Sequence, residues 1–508
     1  MDVPGPSAPF FSPPAYFQRS ILSLGQSIRS GVKWLVAGNI GNQVLQFAFG
    51  IALARLLAPS DFGLLATTQI FTGFVGLMAT GGMGDALIQA KRVEERDFHG
   101  VFTAQLAIGF VIYLGFFLVS PHFAVWFDDP RYENLLRVST LSFLLRPFVN
   151  IPGCRLSRDM RFRERALVNF VSMIFSGLSC IAMAVSGFGV WSLVVGGLLG
   201  SVSSMVLFFR LAHWWPKIRF DAEVVHRYGS FGFLTTVNNL VCHFRSQIAN
   251  LILSRLSGPA AVGLFNKADS LARTPFMVIS TSAYDTVFRA LSTSQDNLDQ
   301  ARYLYHKMIS LLIVYTLPMY LGLGWVAGPF IEVVYGPKWV AATGALEILA
   351  LSGLLWCLIH PAGAVLAAMK WLDREILAQA IWLIISASSC FVAMRWGLNG
   401  VAWAVVLSQV YAAVHMTCLA HRCLAASSIK LFSALFASLL PSALMIGALA
   451  VFEMVVGTHF RSLHPAEYLV SATVVGAATY ASAFLYLPIR LLESEAQRWK
   501  KTLRLARD

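Results

Sequence analysis

The chain has 508 residues, of which 57% are hydrophobic and 13% charged, against about 25% charged in a typical soluble domain. That deficit of polar side chains excludes a soluble globular protein and makes lipid the principal solvent. A net charge of +13 would suit a nucleic-acid binder if it formed one basic face, but here the Lys and Arg sit in alternate loops and read as membrane orientation.

Residues 1–17 are Pro-rich and lack the basic start and compact apolar stretch of a cleaved secretory signal. Residues 1–30 therefore read as a mobile cytoplasmic tail, followed by a first helix that also targets the chain. Apolar runs recur from residue 31 to residue 488, and taking turn residues and charges as breaks predicts fourteen spans. The first six fall near 31–57, 62–90, 98–120, 133–155, 164–186 and 189–212. The next six fall near 228–256, 260–289, 303–328, 340–369, 374–396 and 399–422, and a last pair near 430–456 and 466–488.

With the N-terminus inside, 28 of the 39 Lys and Arg fall in cytoplasmic segments, and outside segments hold only Arg55, Arg131, Arg255, Lys338, Arg395 and Arg461. A miscounted helix would invert every later loop and mix the two sets, so both termini are expected inside. The seven cysteines lie within or at the ends of apolar runs without C-x-x-C pairs. They read as small apolar fillers, with neither a zinc site nor a disulfide framework, and no cofactor is expected.

Arg55 to Leu64 reads R-L-L-A-P-S-D-F-G-L, and Arg255 to Leu264 reads R-L-S-G-P-A-A-V-G-L. Five of ten positions match, far above the roughly one in fifteen expected per position from ordinary usage. Pro59 and Pro259 follow long apolar runs, where a helix stops and turns. Six spans separate these corners, an even number, so the two repeats run parallel about an axis along the membrane normal. A second echo pairs Gly189-Val190-Trp191-Ser192-Leu193-Val194 with Gly400-Val401-Ala402-Trp403-Ala404-Val405.

The expected fold is an all-α polytopic membrane protein with two pseudo-twofold-related six-helix lobes and an extra helix pair. The N-lobe covers 31–213, a cytoplasmic linker 214–227, the C-lobe 228–424, the extra pair 430–488 and a basic cytoplasmic tail 489–508. Two similar bundles meeting at an axis leave a central cleft.

Polar stripes mark the first helix of each lobe. Asn39, Gln43 and Gln46 are spaced i, i+4, i+7, and Asn239, His243 and Ser246 repeat that spacing, extended by Asn250. Such groups are unsatisfied against lipid, so they either line a wet cleft or bond helix to helix. Arg137 and Arg146 lie in the fourth span, Arg245 in the seventh, and Lys267 and Arg273 in the eighth. Arg245 falls roughly 25 Å along its helix, too deep to snorkel out, and a guanidinium there costs at least about 2.5 kcal/mol unless it meets water, a partner or a ligand. Guanidinium also suits bidentate contact with phosphate or carboxylate, so these residues point to an anion-attracting cavity.

Each has a plainer reading. Asp269 with Arg273 and Asp285 with Arg289 are i, i+4 pairs suited to structural salt bridges, and Arg137 lies near the outer end as an interfacial anchor. Asp85, beside Gly81-Gly82-Met83-Gly84, and Asp269 are candidates for a coupling cation. Pro318 offers a kink in the ninth span. No G-x-x-x-x-G-K-[ST] stretch occurs, so the energy source is a gradient or a partner.

The segment from Ala54 to Ala66, followed by Gly84-Asp85-Ala86-Leu87-Ile88-Gln89, resembles the first two spans of bacterial polysaccharide transporters. These are the Wzx-type flippases of lipid-linked oligosaccharides, in the multidrug/oligosaccharidyl-lipid/polysaccharide exporter superfamily. The basic loop from Arg155 to Phe162 and the G-x-G-V-W segment at Gly187 resemble the branch tied to exopolysaccharides such as colanic acid. The resemblance runs over roughly residues 30–425 and fades in the last two spans. It implies a non-enzymatic transporter of the bacterial inner membrane. By alternating access it would flip undecaprenyl-pyrophosphate-linked repeat units for exopolysaccharide, O-antigen or capsule synthesis, with a polymerase and assembly proteins as partners.

Two other readings remain open. A cation-coupled drug or small-molecule exporter of the same superfamily would need acidic residues in the cleft, whereas here the intramembrane charge is mainly basic. A membrane polymerase, ligase or glycosyltransferase acting on lipid-linked sugars would need acid, base or nucleophile groups on a sizeable outside loop. The longest outside segments, near 121–132 and 328–340, are short, and His360, just before Pro361, is the best lone candidate.

Overall fold

The computed structural model describes residues 41–80, 83–90, 92–229, 233–293, 297–426, 429–487 and 493–502. All regular structure in these residues is helical. The first half contains α1 (41–56), α2 (Pro59–Thr80), α3 (Met83–Gln89), α4 (Glu95–Trp126), α5 (Arg131–Ser139), α6 (Leu141–Arg158), α7 (Phe162–Val185) and α8 (Val190–Ala212). A short α9 (Ala222–Gly229) precedes α10 (Phe233–Leu256), α11 (Gly258–Thr293), α12 (Leu298–Tyr335), α13 (Thr343–Ala350), α14 (Ser352–Ala368), α15 (Leu372–Ala393) and α16 (Gly397–Leu424). The chain continues with α17 (Ile429–Leu463), α18 (Pro465–Tyr486) and α19 (Glu493–Thr502).

Among the described residues, seven helical stretches are long and apolar enough to cross a membrane, or eight if the bent pair Pro337–Ala350 and Ser352–Ala368 counts as one span. That pair is bent by 49°, where the sequence suggested a single straight run. The fourth expected span is likewise two helices, α5 and α6, meeting at Thr140. Helices α10 and α11 are not among the seven, because their polar and cationic residues lower their hydropathy. Helices facing a cleft rather than lipid have that composition. α12 continues as one helix through Pro318 and Pro329.

The packing order repeats along the chain. α4 packs on α6, α6 on α8 and α8 on α7, and then α12 packs on α14, α14 on α16 and α16 on α15. α17 and α18 pack on each other and on α12. A polar cluster holds them there: Arg461 pairs with Glu453 at 3.1 Å, and Trp325 Nε1 donates to the Tyr468 hydroxyl at 3.2 Å. The segment after α8 is tied to α4. The Lys217 and Arg219 backbone N–H groups donate to His99 and Thr103 of α4, and Trp214 Nε1 donates to Glu95.

The two halves meet where α2 packs against α10 and α11. The repeated corners touch there: a methyl group on Gly63 would collide with the Pro259 carbonyl, and one on Gly263 with the Pro59 carbonyl. Glycine lets the two backbones approach this closely, as small residues do at membrane helix crossings. Corners that meet lie at the same end of the helix bundle, so the two repeats are not on opposite faces.

Beside this crossing the halves exchange helix caps. Arg55, in the last turn of α1, donates to the carbonyls of Val333 and Val334 in the last turn of α12, the second at 2.9 Å. Trp339, just beyond α12, donates Nε1 to the Ala54 carbonyl at 2.8 Å. Terminal carbonyls without intrahelical donors are thus satisfied by the opposite half.

Candidate functional site

The polar stripe of α10 faces a cavity of about 420 Å³ between the halves. Asn239, Cys242, His243, Arg245 and Ser246 line it from α10, Arg273 and Phe276 from α11, Trp356 and His360 from α14, and Leu77 from α2. His243 also spans the gap, its Nε2–H donating to the Ile70 carbonyl of α2 at 3.0 Å. It therefore serves both roles that the sequence left open, cleft lining and helix-to-helix bonding. Asn250 does not reach the cavity; it is buried and donates to Gln247 at 3.0 Å.

Two guanidinium groups dominate this cavity. The guanidinium carbon of Arg245 lies over Trp382, 3.7 Å from the ring centroid, with Trp356 at 6.0 Å. Arg273 stacks on Trp356 at 5.2 Å and pairs with Asp269 at 2.8 Å. The i, i+4 salt bridge read from the sequence is formed. A single carboxylate thus serves two cations, and the buried Nε of Arg245 has no hydrogen-bond partner. The Trp382 indole is held in turn by donating to the Ser408 hydroxyl at 3.2 Å. A guanidinium stacked on an indole keeps its in-plane donors free for an oxyanion.

Lys267 is placed elsewhere. It lines a second cavity of about 530 Å³ with Gln43, Gln46 and Gly50 of α1 and Ser270, Thr274 and Tyr335. Its ammonium is ringed by Phe62 of α2 at 5.1 Å, Tyr335 of α12 at 4.7 Å and Trp339 at 5.4 Å. Aromatic faces replace a counterion here. The cations expected from sequence to share one cavity are therefore divided, with Arg245 and Arg273 in one and Lys267 in the other.

Arg146 enters neither. It lies along α2, reaching the Gly76 carbonyl at 3.4 Å and stacking on Phe143 at 4.9 Å. Arg137 pairs with Glu133 at 2.9 Å and donates to Ser120, in keeping with an anchoring role. Asn39 and the side chains of Asp85, Asp285 and Arg289 lie outside the described residues. Sequence reasoning missed the platforms Trp356 and Trp382, which come from α14 and α15 and share no spacing with the arginines they support. It also missed Glu375 of α15, whose side chain is buried.

A helical membrane protein with repeated halves, and a basic cleft where they meet, has the build of a transporter. The chain belongs to the family described as polysaccharide biosynthesis protein, whose model matches residues 52–344. It is 26% identical over 492 residues to the teichuronic acid biosynthesis protein TuaB of Bacillus subtilis (strain 168), covering 96% of this chain and 99% of that one. It is 25% identical to the succinoglycan biosynthesis transport protein ExoT of Rhizobium meliloti (strain 1021), covering 73% of this chain and 80% of that one. The lipopolysaccharide biosynthesis protein WzxC of Escherichia coli (strain K12) is 23% identical, with 69% and 72% covered. The fold is similar to that of the lipid II flippase MurJ in an inward closed conformation, with a TM-score of 0.71 at 14% identity, over 89% of this chain and 98% of that chain. An inward-facing multidrug resistance MATE family transporter matches with a TM-score of 0.59 at 15% identity, over 76% and 94%.

Proposed function

We propose that this protein flips undecaprenyl-pyrophosphate-linked oligosaccharide units across the bacterial inner membrane by alternating access, feeding exopolysaccharide, O-antigen or capsule assembly. The observation that carries the reading is the pair Arg245 and Arg273, two stacked guanidinium groups with one carboxylate between them in the cleft where the halves meet. A pyrophosphate crossing hydrocarbon needs such in-plane donors, and the surplus cation would otherwise stand without a counterion. The names of the relatives, a succinoglycan transport protein and a lipopolysaccharide biosynthesis protein among them, fit the same substrate class.

In this reading fourteen spans form lobes at 31–213 and 228–424 with an added pair at 430–488, both termini are cytoplasmic, and a polymerase receives the product. The corner at Gly63 and Gly263 is then the closed outer mouth. The test is replacement of Arg245 and Arg273 by alanine in cells that make the polysaccharide. Lipid-linked sugar should accumulate in the inner leaflet; unchanged export at normal protein levels rejects the assignment.

A further inference from the structure

Glu375 sits in the first turn of α15 with its side chain 8% exposed. One of its carboxyl oxygens, Oε2, is buried without a hydrogen-bond partner, and Oε1 lies against Gly363 of α14. Asn238 of α10 is its polar neighbour. The groups around it supply no counterion. From α10 comes Cys242, and from α16 comes Met416, across Gly363 of α14. On α15 itself Asp373 and Arg374 are exposed, with Arg374 stacked on Trp371 at 3.9 Å. A carboxylate held this way in a membrane bundle is costly unless it binds a cation.

The oxygen count decides which cation. A bound metal ion needs several oxygen ligands, whereas this pocket offers a carboxyl, an amide, a thiol and a glycine backbone. Among the described residues no group of three or more metal-ligating acids, histidines or cysteines occurs. A proton needs only the free oxygen.

The same α10 face connects this carboxyl to the cleft. Cys242 Sγ reaches Asn238 Oδ1 at 4.0 Å, and Arg245 lies one turn beyond Cys242. Opposite, Glu375, Gln379, Trp382 and Ser386 recur at helical spacing along α15, all buried, and α15 packs on α10. The polar seam therefore runs from Glu375 to the Trp382 platform under Arg245.

We propose that Glu375 is the proton-binding site through which a transmembrane proton gradient drives this transporter, coupled to the anion cleft through α10. Glu375 takes one proton as a carboxylate on one side of the membrane and returns it from the neutral acid on the other. The coupling half of the proposal rests on the flippase reading above; the proton site does not.

Two measurements test it. In vesicles of phosphatidylethanolamine and phosphatidylglycerol carrying a fluorescent polyprenyl-pyrophosphate-linked sugar, an imposed pH gradient should change the wild-type translocation rate about tenfold. Glu375→Gln should remove that dependence and keep slow gradient-independent exchange, while Glu375→Asp should retain it. A gradient response surviving in E375Q, or driving by sodium at equal pH, overturns the proposal. Infrared difference spectra of the purified protein read the site without substrate. A protonated-carboxyl band that titrates with pH and vanishes in E375Q is expected, and its absence from the wild type overturns the site. Wild-type vesicles that translocate nothing while this band titrates overturn the flippase reading and leave the proton site standing.

Discussion

Gly63 of α2 and Gly263 of α11 lie back to back, each with its α-carbon against the carbonyl of the proline in the first turn of the opposite helix, Pro259 and Pro59. The obstacle to any larger residue is backbone, which cannot rotate away as a side chain can. Gly63→Ala and Gly263→Ala are each expected to force the helices apart at a cost of about 1–3 kcal/mol, seen as a lower melting temperature in detergent. Because the two sites share one contact, the double variant should lose less than the sum of the singles. Unchanged melting in both single variants contradicts the tight crossing.

The caps exchanged beside that crossing make a separable prediction. Arg55 bonds two carbonyls of α12, and Phe62 contributes one wall of the Lys267 cage, so both link the halves without blocking backbone approach. Arg55→Ala and Phe62→Leu should loosen the contact between halves, with cysteines placed on either side of it cross-linking more slowly than in the parent. Lys267→Met should leave cross-linking nearer to normal, because an apolar chain fits the aromatic cage without its charge. Faster cross-linking in R55A sinks the idea of a clamp.

Much of the architecture was legible because the lipid solvent imposes a simple code of apolar runs, turn residues and loop charge. The repeated R-L-x-x-P-x-x-x-G-L corner showed the duplication, and the paired corners do meet. The stripe on α10 was legible because Asn239, His243 and Ser246 share one helix face. What escaped was set by contacts between helices far apart in sequence. Trp382 meets Arg245 across 137 positions, and the cage of Lys267 draws on α2, α12 and the turn beyond it. Helical spacing cannot report such partners. Arg245 and Lys267 both read in sequence as intramembrane cations, and only the packing separates them into two cavities.

The loop between α4 and α5 carries a pH dependence of defined sign. Arg131 donates to both Asp129 oxygens at 2.7–3.1 Å, and this bonding holds the Asp129 carboxyl below its ordinary value of 3.8. A depressed carboxylate contributes stability that is fully present above the unfolded value and is lost as pH falls through the folded one. Amide exchange at the start of α5, taken relative to the intrinsic rate at each pH, should therefore be steady from neutral pH down to about 4 and quicken below it. Arg131→Ala should quicken it already at neutral pH and flatten the acid dependence; a wild-type profile with no acid rise contradicts the pairing.

The Arg245–Trp382 stack gives the sharpest test of how the cleft holds an anion. Stacking on an aromatic ring in a desolvated site contributes about 2 kcal/mol and fixes the plane of the guanidinium, which sets where its donors point. Trp382→Phe keeps a ring and should preserve most translocation of a polyprenyl-pyrophosphate-linked sugar, losing only the hydrogen bond to Ser408. Trp382→Leu removes the platform and should slow translocation about tenfold or more at equal protein level. Arg245→Lys should fail nearly as badly as Arg245→Ala, since an ammonium keeps the charge but not the planar pair of donors. If lysine restores full activity, Arg245 acts as a point charge and the platform is only packing. If W382L transports normally while R245A does not, the guanidinium finds its orientation without the indole, and the stack is incidental to anion binding.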